Sequence, residues 1–276
     1  MRHLLIPLAA IALLGAAPPE AQPRRIVSLN LCADQYLLAL ADREQIAALT
    51  RFARDREMSA AADKAVGIPV TKGTAEDVLM LRPDLIIATP GRRRETMAQL
   101  KGRDIAMLDL PSADSYGEIV DQVRAVAAAV GHPDRGEALI GRMQRDLGRI
   151  SPELGRGRSA AYYQRRGYLT GTGTLIDDLL VRVGLRNLAA GLGKKAVARL
   201  SLEDLALARP AYLIVETASD RITDQGTEML HHPLLRSIPR LKLPQAWTVC
   251  GGPAYVLAAR SLARQLEQQP FGAKGR

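Results

Sequence analysis

The longest amphipathic pattern in the chain runs from Pro133 to Ile150. Its apolar residues Leu139, Met143 and Leu147 recur at steps of four, and charged residues fill most of the other positions. This spacing predicts a helix with one solvated face. Eighteen helical residues would span about 27 Å, roughly the width of a small domain. A rod of that length could join two lobes.

On both sides of this helix, short apolar runs alternate with amphipathic segments, which predicts an α/β fold. The predicted strands are Arg25–Leu29, Ile46–Leu49, Leu85–Ala88, Ile105–Leu110, Ser159–Tyr163, a strand after Pro210, and Trp247–Val249. The predicted helices are Gln35–Ala41, one between Thr74 and Pro83, Tyr116–Val130, Leu175–Val183 and Tyr255–Glu267. The connecting segments include a strand-end loop at Asn30–Ala33, a charged stretch at Arg51–Lys64, a Gly/Thr-rich loop at Gly167–Thr174 and a loop at His231–Pro239.

A short block is duplicated across the predicted helix. Thr74–Ile87 aligns with Ser201–Ile214 at a constant offset of 127, without a gap. The identical positions are Glu76 with Glu203, Asp77 with Asp204, Arg82 with Arg209, Pro83 with Pro210, and Ile87 with Ile214. The order helix, proline, strand recurs in many α/β folds. This order does not by itself predict a Glu-Asp pair at the same position of both helices. We therefore predict two related α/β lobes, 22–132 and 151–276, joined by a single long inter-lobe helix at 133–150 with a ligand cleft between them.

The first residues have the pattern of a secretory signal peptide. Basic and polar residues are followed by an apolar run from Leu4 to Leu14 and then by small residues. This run is too short to span a bilayer. Cleavage is predicted between Ala16 and Gln22, so residues 1–21 are assigned to the signal. No cysteine follows the run directly, which argues against a lipid anchor, and we expect an exported, soluble mature protein.

Charge and cysteine content narrow the function classes. The net charge is +9, the isoelectric point is near 9.9, and only Cys32 and Cys250 are present. A basic cytosolic protein would suggest a nucleic-acid partner, but the export signal and the absence of basic runs interleaved with aromatics argue against one. We expect no nucleic-acid partner and infer an anionic ligand or an acidic surface. Two cysteines are too few for a disulfide scaffold, so the core must be hydrophobic.

Several motifs together resemble the periplasmic binding proteins for iron chelates and cobalamin, the solute receptors of ABC importers. They are Arg25-Ile-Val-Ser-Leu-Asn30, the duplicated block, Gly171-Thr-Gly-Thr174 and Trp247-x-x-Cys-Gly-Gly-Pro253. The resemblance runs over residues 24–267, and the duplicated block is its most specific part. It implies a periplasmic, monomeric receptor with no cofactor that holds a chelated-iron (siderophore-like) or cobalamin-type ligand between two lobes. It also implies delivery to the permease dimer of an ABC importer in the inner membrane.

Candidate ligand-binding residues lie mostly in loops predicted at strand ends, where open α/β sheets bind ligands. They are Asn30, Cys32, Arg92, Tyr163, Arg165, Tyr168, Trp247, Cys250 and Tyr255. The arginines, together with neighbouring Arg93, Arg94 and Arg166, could hold carboxylate or phosphate, or form a solvated basic face. The aromatic residues could stack on an aromatic or corrin-like ligand. Asp34 is another candidate, although capping of the following helix is the favoured interpretation.

Three other functions are weighed against ligand capture. A receptor for a bare metal ion would need a cluster of His, Cys or carboxylate ligands, and adjacent His231 and His232 cannot complete one, so no metal site is expected. An exported enzyme could use Cys32 as a nucleophile, but the sequence places no His beside it. The Gly191–Lys195 run lacks the remaining residues of a phosphate loop. A partner protein that binds no ligand would need the same fold with a blocked cleft.

Glu76 and Glu203 occupy the same place in each predicted lobe, near the start of the duplicated helix. Helix N-terminal electrostatics could retain an acid there, but Asp77 and Asp204 already supply that charge. In the family that the chain resembles, the matching glutamates meet arginines on the two permease subunits. The resemblance therefore implies that this pair docks the receptor onto its importer. The two cysteines are predicted to line the cleft from opposite lobes, with their pairing left open.

Overall fold

The structure is a computed structural model and describes residues 22–89 and 94–269. The predicted signal peptide and Arg92 lie outside the described residues. Within them the chain forms two sheets with helices packed around each, in the order that the alternating pattern predicts.

The first sheet has five strands, all parallel, in the spatial order β3-β2-β1-β4-β5. Its strands are β1 (Ile26–Ser28), β2 (Ile46–Thr50), β3 (Val70–Thr71), β4 (Leu85–Ala88) and β5 (Ala106–Asp109). The helices of this half are α1 (Leu31–Leu40), α2 (Ala75–Met80), α3 (Arg94–Leu100) and α4 (Tyr116–Ala129). The central strands β1 and β4 are buried along their whole length, and β4 is accordingly apolar throughout.

The second sheet is mixed. After the helix α5 (Pro133–Leu147), its strands are β6 (Ser159–Gln164), β7 (Tyr168–Thr170), β8 (Arg186–Asn187), β9 (Val197–Arg199), β10 (Tyr212–Glu216) and β11 (Arg240–Leu243). The order is β11-β10-β6-β7-β9, with β8 paired to β6, and β7 runs antiparallel to both its neighbours. The helices of this half are α6 (Leu175–Arg182), α7 (Leu188–Gly191), α8 (Leu202–Ala208), α9 (Gln225–Glu228) and α10 (Tyr255–Gln268).

The duplicated block has the same local structure in both lobes. Thr74 and Ser201 cap α2 and α8, each accepting a hydrogen bond from the backbone N–H three residues on. After each helix an arginine takes the left-handed conformation, Arg82 with φ of 43° and Arg209 with φ of 44°. Each block then enters a buried strand near the middle of its sheet. Backbone and sequence therefore agree that the two lobes are related.

The helix predicted at 133–150 is present as α5 but ends three residues earlier, at Leu147, and its role as the single link between the lobes stays a prediction. It packs against α4 of the first lobe and α10 of the second. Gly136 lies against Ala127, so the absence of a side chain lets α4 and α5 approach closely. One continuous hydrophobic cluster includes Ile26 of the first sheet and Ile214 of the second. The two lobes therefore share a hydrophobic core. They are connected by this core as well as by the helix α5.

Some predicted elements differ in the structure. The first helix begins at Leu31, four residues before the predicted start, because Asn30 caps it and not Asp34. The predicted strand Trp247–Val249 is wrong, since Gln245–Trp247 forms a 3-10 turn. The last strand is instead β11, where Leu241 and Leu243 are buried and the residue between them is exposed. That alternation was visible in the sequence.

Candidate functional site

The carboxyl ends of the two sheets face each other across a cleft. A cavity of about 230 Å³ there is lined by residues of both lobes. Arg56 and Glu57 follow β2, whereas Thr217 and Arg221 follow β10. Open α/β sheets bind ligands outside the carboxyl ends of their strands, so this cleft is the candidate site. A larger cavity of about 480 Å³ lies between α1, α5 and α10, away from these strand ends.

The floor of the cleft is tied across the lobes by a disulfide. Cys32, in the first turn of α1, is bonded to Cys250, which follows β11, and their Cα atoms are 5.4 Å apart. The Tyr36 hydroxyl donates a 2.9 Å hydrogen bond to the carbonyl of Gly251. A side chain at Gly251 would collide with the carbonyl of Ala113 in the first lobe. Neither cysteine is a free thiol, so the nucleophile that the enzyme alternative requires is not available here.

Asn30 and Asp34 both have structural roles beside this floor. The Asn30 Oδ1 accepts a 2.8 Å hydrogen bond from the Ala33 N–H, while its buried Nδ2 has no partner among the described residues. Asp34 is fully buried and accepts hydrogen bonds from the N–H and hydroxyl of Thr50, at 3.0 and 2.5 Å. Burial raises the pKa of the Asp34 carboxyl to about 6, and these hydrogen bonds only partly oppose it. The predicted capping role of Asp34 was wrong.

The second lobe contributes a polar cavity of about 340 Å³. Arg165 and Tyr168 both line it, together with buried Glu216, which accepts a 2.9 Å hydrogen bond from Gln164. The ring of Tyr168 is 37% exposed and lies under the Arg199 guanidinium at 5.1 Å. The Gly/Thr-rich segment predicted as a loop therefore includes β7, which presents Tyr168 at the cleft because it pairs with β6 and β9.

The first lobe has a matching aromatic group that the sequence analysis missed. Phe52 lies in a 3-10 turn at Arg51–Arg54, directly after β2, and its side chain is also 37% exposed. The Arg51 guanidinium lies 4.7 Å above its ring. The available signal was its position at a strand end, since Phe52 is one of two phenylalanines in the chain. Phe52 in the first lobe and Tyr168 in the second are thus exposed aromatic residues that each lie under a guanidinium, and Tyr168 also lines a cleft cavity.

Tyr163 and Tyr255 are not cleft residues in this structure. Tyr163 is fully buried in the core of the second lobe and donates a 2.7 Å hydrogen bond to the Leu200 carbonyl. Burial raises its pKa to about 12. Tyr255 is buried too, and its hydroxyl bonds to Asp178 and to Arg182. Burial is the main reason that the pKa of Tyr255 is raised. Both rings pack in cores, so neither can stack on a ligand without rearrangement.

Trp247 lies beside the cleft floor. It ends the turn after β11, is half-buried, and packs against the hydrophobic cluster shared by both lobes. The next residue, Thr248, lines a cavity of about 150 Å³ together with Cys32 and Cys250. The structure therefore brings Asn30, the disulfide and Trp247 to the floor, and Arg165 and Tyr168 to one wall.

The described part of the cleft is more basic than acidic. The guanidinium groups that line its two cavities are those of Arg56, Arg165, Arg166 and Arg221, against the carboxylates of Glu57, Glu216 and Asp224. Arg221 and Glu57 approach across the lobes at 3.9 Å, but both are well exposed, so the pair is weak. Within residues 22–89 and 94–269, no group of three or more His, Cys, Asp or Glu side chains could hold a metal ion.

Glu76 and Glu203 are both exposed, each at the second position of its helix. Both helices connect strands that run in the same direction, so each helix runs antiparallel to its sheet and starts at the carboxyl edge. The two glutamates therefore lie at corresponding places on the rim side of the two lobes.

Two related α/β lobes around a cleft at their strand ends define a bilobal solute-binding protein. The chain belongs to the Periplasmic binding protein family, whose model matches residues 26–242. No helix in the described ranges has the length and apolar content needed to cross a membrane.

The relatives share this fold at low sequence identity. The cobalamin-binding protein of Halobacterium salinarum is 24% identical over 208 residues, which is 74% of this chain and 56% of that protein. The chain thus spans little more than half the length of that curated relative. A possible iron-binding (periplasmic solute-binding) protein from Staphylococcus epidermidis is 16% identical with a TM-score of 0.72, covering 90% of this chain and 100% of that one. A periplasmic heme-binding protein from Roseiflexus sp. RS-1 in apo form is 23% identical with a TM-score of 0.71, covering 89% and 98%.

Proposed function

We propose that this protein is a periplasmic receptor that captures a chelated-iron or cobalamin-type ligand in the cleft and delivers it to an ABC importer. The observation that carries the proposal is the pair of rings, Phe52 and Tyr168, each exposed on its own lobe and each carrying a guanidinium. The names of the relatives, which mention cobalamin, iron and heme, support the same ligand range.

The chemistry of the cleft fits a large ligand that has both flat and anionic parts. Aromatic rings stack on flat conjugated or macrocyclic surfaces. Arginine guanidinium groups hold carboxylate and phosphate through paired hydrogen bonds, and Arg165 and Arg221 are exposed enough to do so. A bare metal ion does not fit, because the described residues offer it no ligand cluster. A metal would therefore enter already enclosed by an organic chelator.

Delivery to the importer requires a docking surface, and we assign that role to Glu76 and Glu203. Both are exposed and occupy equivalent positions on the two lobes. A permease dimer offers two equivalent binding places, and cationic residues there would meet one glutamate each. Such charges set orientation and encounter rate more than affinity.

The test of ligand capture is a titration followed by fluorescence of Trp247, the single tryptophan of the chain. Cyanocobalamin, heme and a ferric hydroxamate chelate are added separately to purified protein. We expect one ligand class to change the emission with saturation. Phe52→Ala and Tyr168→Ala should each weaken that binding about tenfold, equivalent to about 1.4 kcal/mol.

Val181→Ala is the matched control, because Val181 is an exposed apolar residue on α6 and does not line the cleft cavities. It should bind like the unaltered protein. Failure of all three ligand classes to bind would contradict the proposed ligand range, and unchanged binding in both ring variants would remove the stacking role.

A further inference from the structure

The duplicated helices share a feature besides the glutamates. Met80 and Leu207 are related by the same offset of 127, and both side chains are 81% exposed. They are the most exposed large hydrophobic residues in the described chain, and the next, Val66, is 65% exposed. Single exposed apolar residues are common on protein surfaces and usually need no explanation. This general tendency does not explain why two exposed apolar residues occupy equivalent positions of a duplicated block and are equally exposed.

Helix geometry places each of these residues beside a docking glutamate. Met80 follows Glu76 by four positions in α2, and Leu207 follows Glu203 by four positions in α8. Residues four apart lie on the same helix face, one turn from each other. The buried faces of these helices are held by other residues, Val78 in α2 and Leu205 in α8. The exposed pairs are therefore not needed to anchor the helices to their own lobes.

The two equivalent positions, Met80 and Leu207, carry different residues of similar chemical character. Methionine and leucine differ, but both are large, unbranched at Cβ and apolar. Each lobe therefore presents an acidic group followed, one turn further from the cleft rim, by an aliphatic side chain in water. Two equal patches on one chain suit a partner that itself has two equal sites, which is the geometry of a two-fold dimer.

We propose that Met80 and Leu207 are apolar anchors that insert into two equivalent apolar pockets of the permease dimer, each beside the cationic residue that meets a glutamate. This inference rests on the proposed importer function and adds a second role to the docking surface. The glutamates govern the encounter, and the aliphatic side chains govern how long the complex lasts. Buried apolar anchors dominate the energy of many interfaces, whereas charges at the rim act mainly on association.

The experiment measures binding kinetics to the permease dimer of the source organism's cobalamin or iron-chelate importer, reconstituted in nanodiscs, at two salt concentrations. In the Met80→Ser, Leu207→Ser double variant we expect dissociation to accelerate about thirtyfold or more, with association and its salt dependence nearly unchanged. In the Glu76→Gln, Glu203→Gln variant we expect slower association and weaker salt dependence. Val181→Ser, an exposed aliphatic on α6, is the control and should match the unaltered protein.

The outcomes separate this inference from the proposed function. If the unaltered protein binds the importer and the double serine variant dissociates at the normal rate, the anchor role of Met80 and Leu207 is wrong. The proposed docking to the importer is then retained. If the unaltered protein does not bind the importer at all, both are overturned. Thermal unfolding of the serine variant checks that it folds, and we expect no loss because neither side chain packs in a core.

Discussion

The two lobes are alike in the duplicated block and different at the cleft. The block from the helix cap to the buried strand matches in sequence, capping, left-handed arginine and exposed side chains. At the cleft the lobes differ, because the first sheet is wholly parallel while the second inserts antiparallel β7 beside β6. Phe52 comes from a 3-10 turn in one lobe, and Tyr168 comes from this inserted strand in the other.

This division fits the partners that we propose for each side. A two-fold symmetric permease dimer would favour equal patches, and this would account for the duplication on the helices. A ligand held in the cleft has no such symmetry, and its two sides need different contacts. Similarity between the lobes therefore predicts which residues face the importer, and difference predicts which residues face the ligand.

Charge reversal at the docking glutamates gives the largest expected effect and tests the likeness of the lobes. Glu76→Arg and Glu203→Arg should each lower uptake in cells about tenfold to a hundredfold, by similar factors, and the double variant should abolish it. Ligand affinity should not change. Glu44→Arg, at another exposed glutamate, is the control and should transport normally. A large effect at one glutamate alone would show that the lobes dock unequally.

Removal of the disulfide tests how strongly the cleft floor holds the lobes together. The Cys32→Ser, Cys250→Ser variant should lose about 4 kcal/mol of unfolding free energy, because the bond closes a loop with a sequence separation of 218. Urea unfolding of the oxidised protein and the variant measures the difference. An equal stability would mean that the bond restrains little, and unchanged ligand binding would exclude a contact role for the two cysteines.

Protonation of the buried Asp34 should make the free energy of unfolding depend on pH. Its folded-state pKa of about 6 lies above its ordinary value of 3.8, so the folded protein binds the proton more tightly than the unfolded chain. The stability from this group is complete below that ordinary value and is lost as pH rises through about 6. Between about pH 4 and pH 7, the unaltered protein should lose about 2 to 3 kcal/mol relative to Asp34→Asn.

The matched control for Asp34 is Gln122→Ala. Gln122 is a buried polar side chain of the first lobe and donates a 2.7 Å hydrogen bond to the Pro111 carbonyl. It has no ionisable group, so the stability of this variant should vary with pH as in the unaltered protein. Parallel pH curves for Asp34→Asn and the unaltered protein would show that the buried carboxyl is not the titrating group.

The smallest expected effect is the change of shape on ligand binding. The lobes are joined by α5, by the shared core and by the disulfide, and bending a helix breaks its internal hydrogen bonds. We expect ligand to change the radius of gyration by less than about 1 Å in small-angle scattering. A clear compaction would mean that the lobes move as separate bodies despite these connections.

Periodicity and the internal repeat predicted most of the architecture. The helix α5, the strands around the duplicated block and the last helix follow from spacing that any buried surface imposes. The same repeat singled out Glu76 and Glu203, since a repeat fixes equivalent positions, and their docking role stays a prediction.

The ligand-facing residues were harder to predict from sequence. Strand-end position alone does not say whether an aromatic ring points into a core or into a cleft, so Tyr163 and Tyr255 were misplaced. Phe52 was overlooked because it lies within the charged stretch Arg51–Lys64, which was interpreted as a connecting segment. The bond between Cys32 and Cys250 depends on tertiary packing over 218 positions, which local patterns do not encode.

The disulfide also makes most of the chain a covalent ring. Every strand except β1 lies between Cys32 and Cys250 and so within one closed circuit, whereas β1 and the last helix, α10, lie outside it. A protease that cuts once in a cleft loop therefore leaves two fragments that remain one molecule. Such a nicked protein would migrate as a single species on a denaturing gel and would separate into two bands only after a thiol reductant is added.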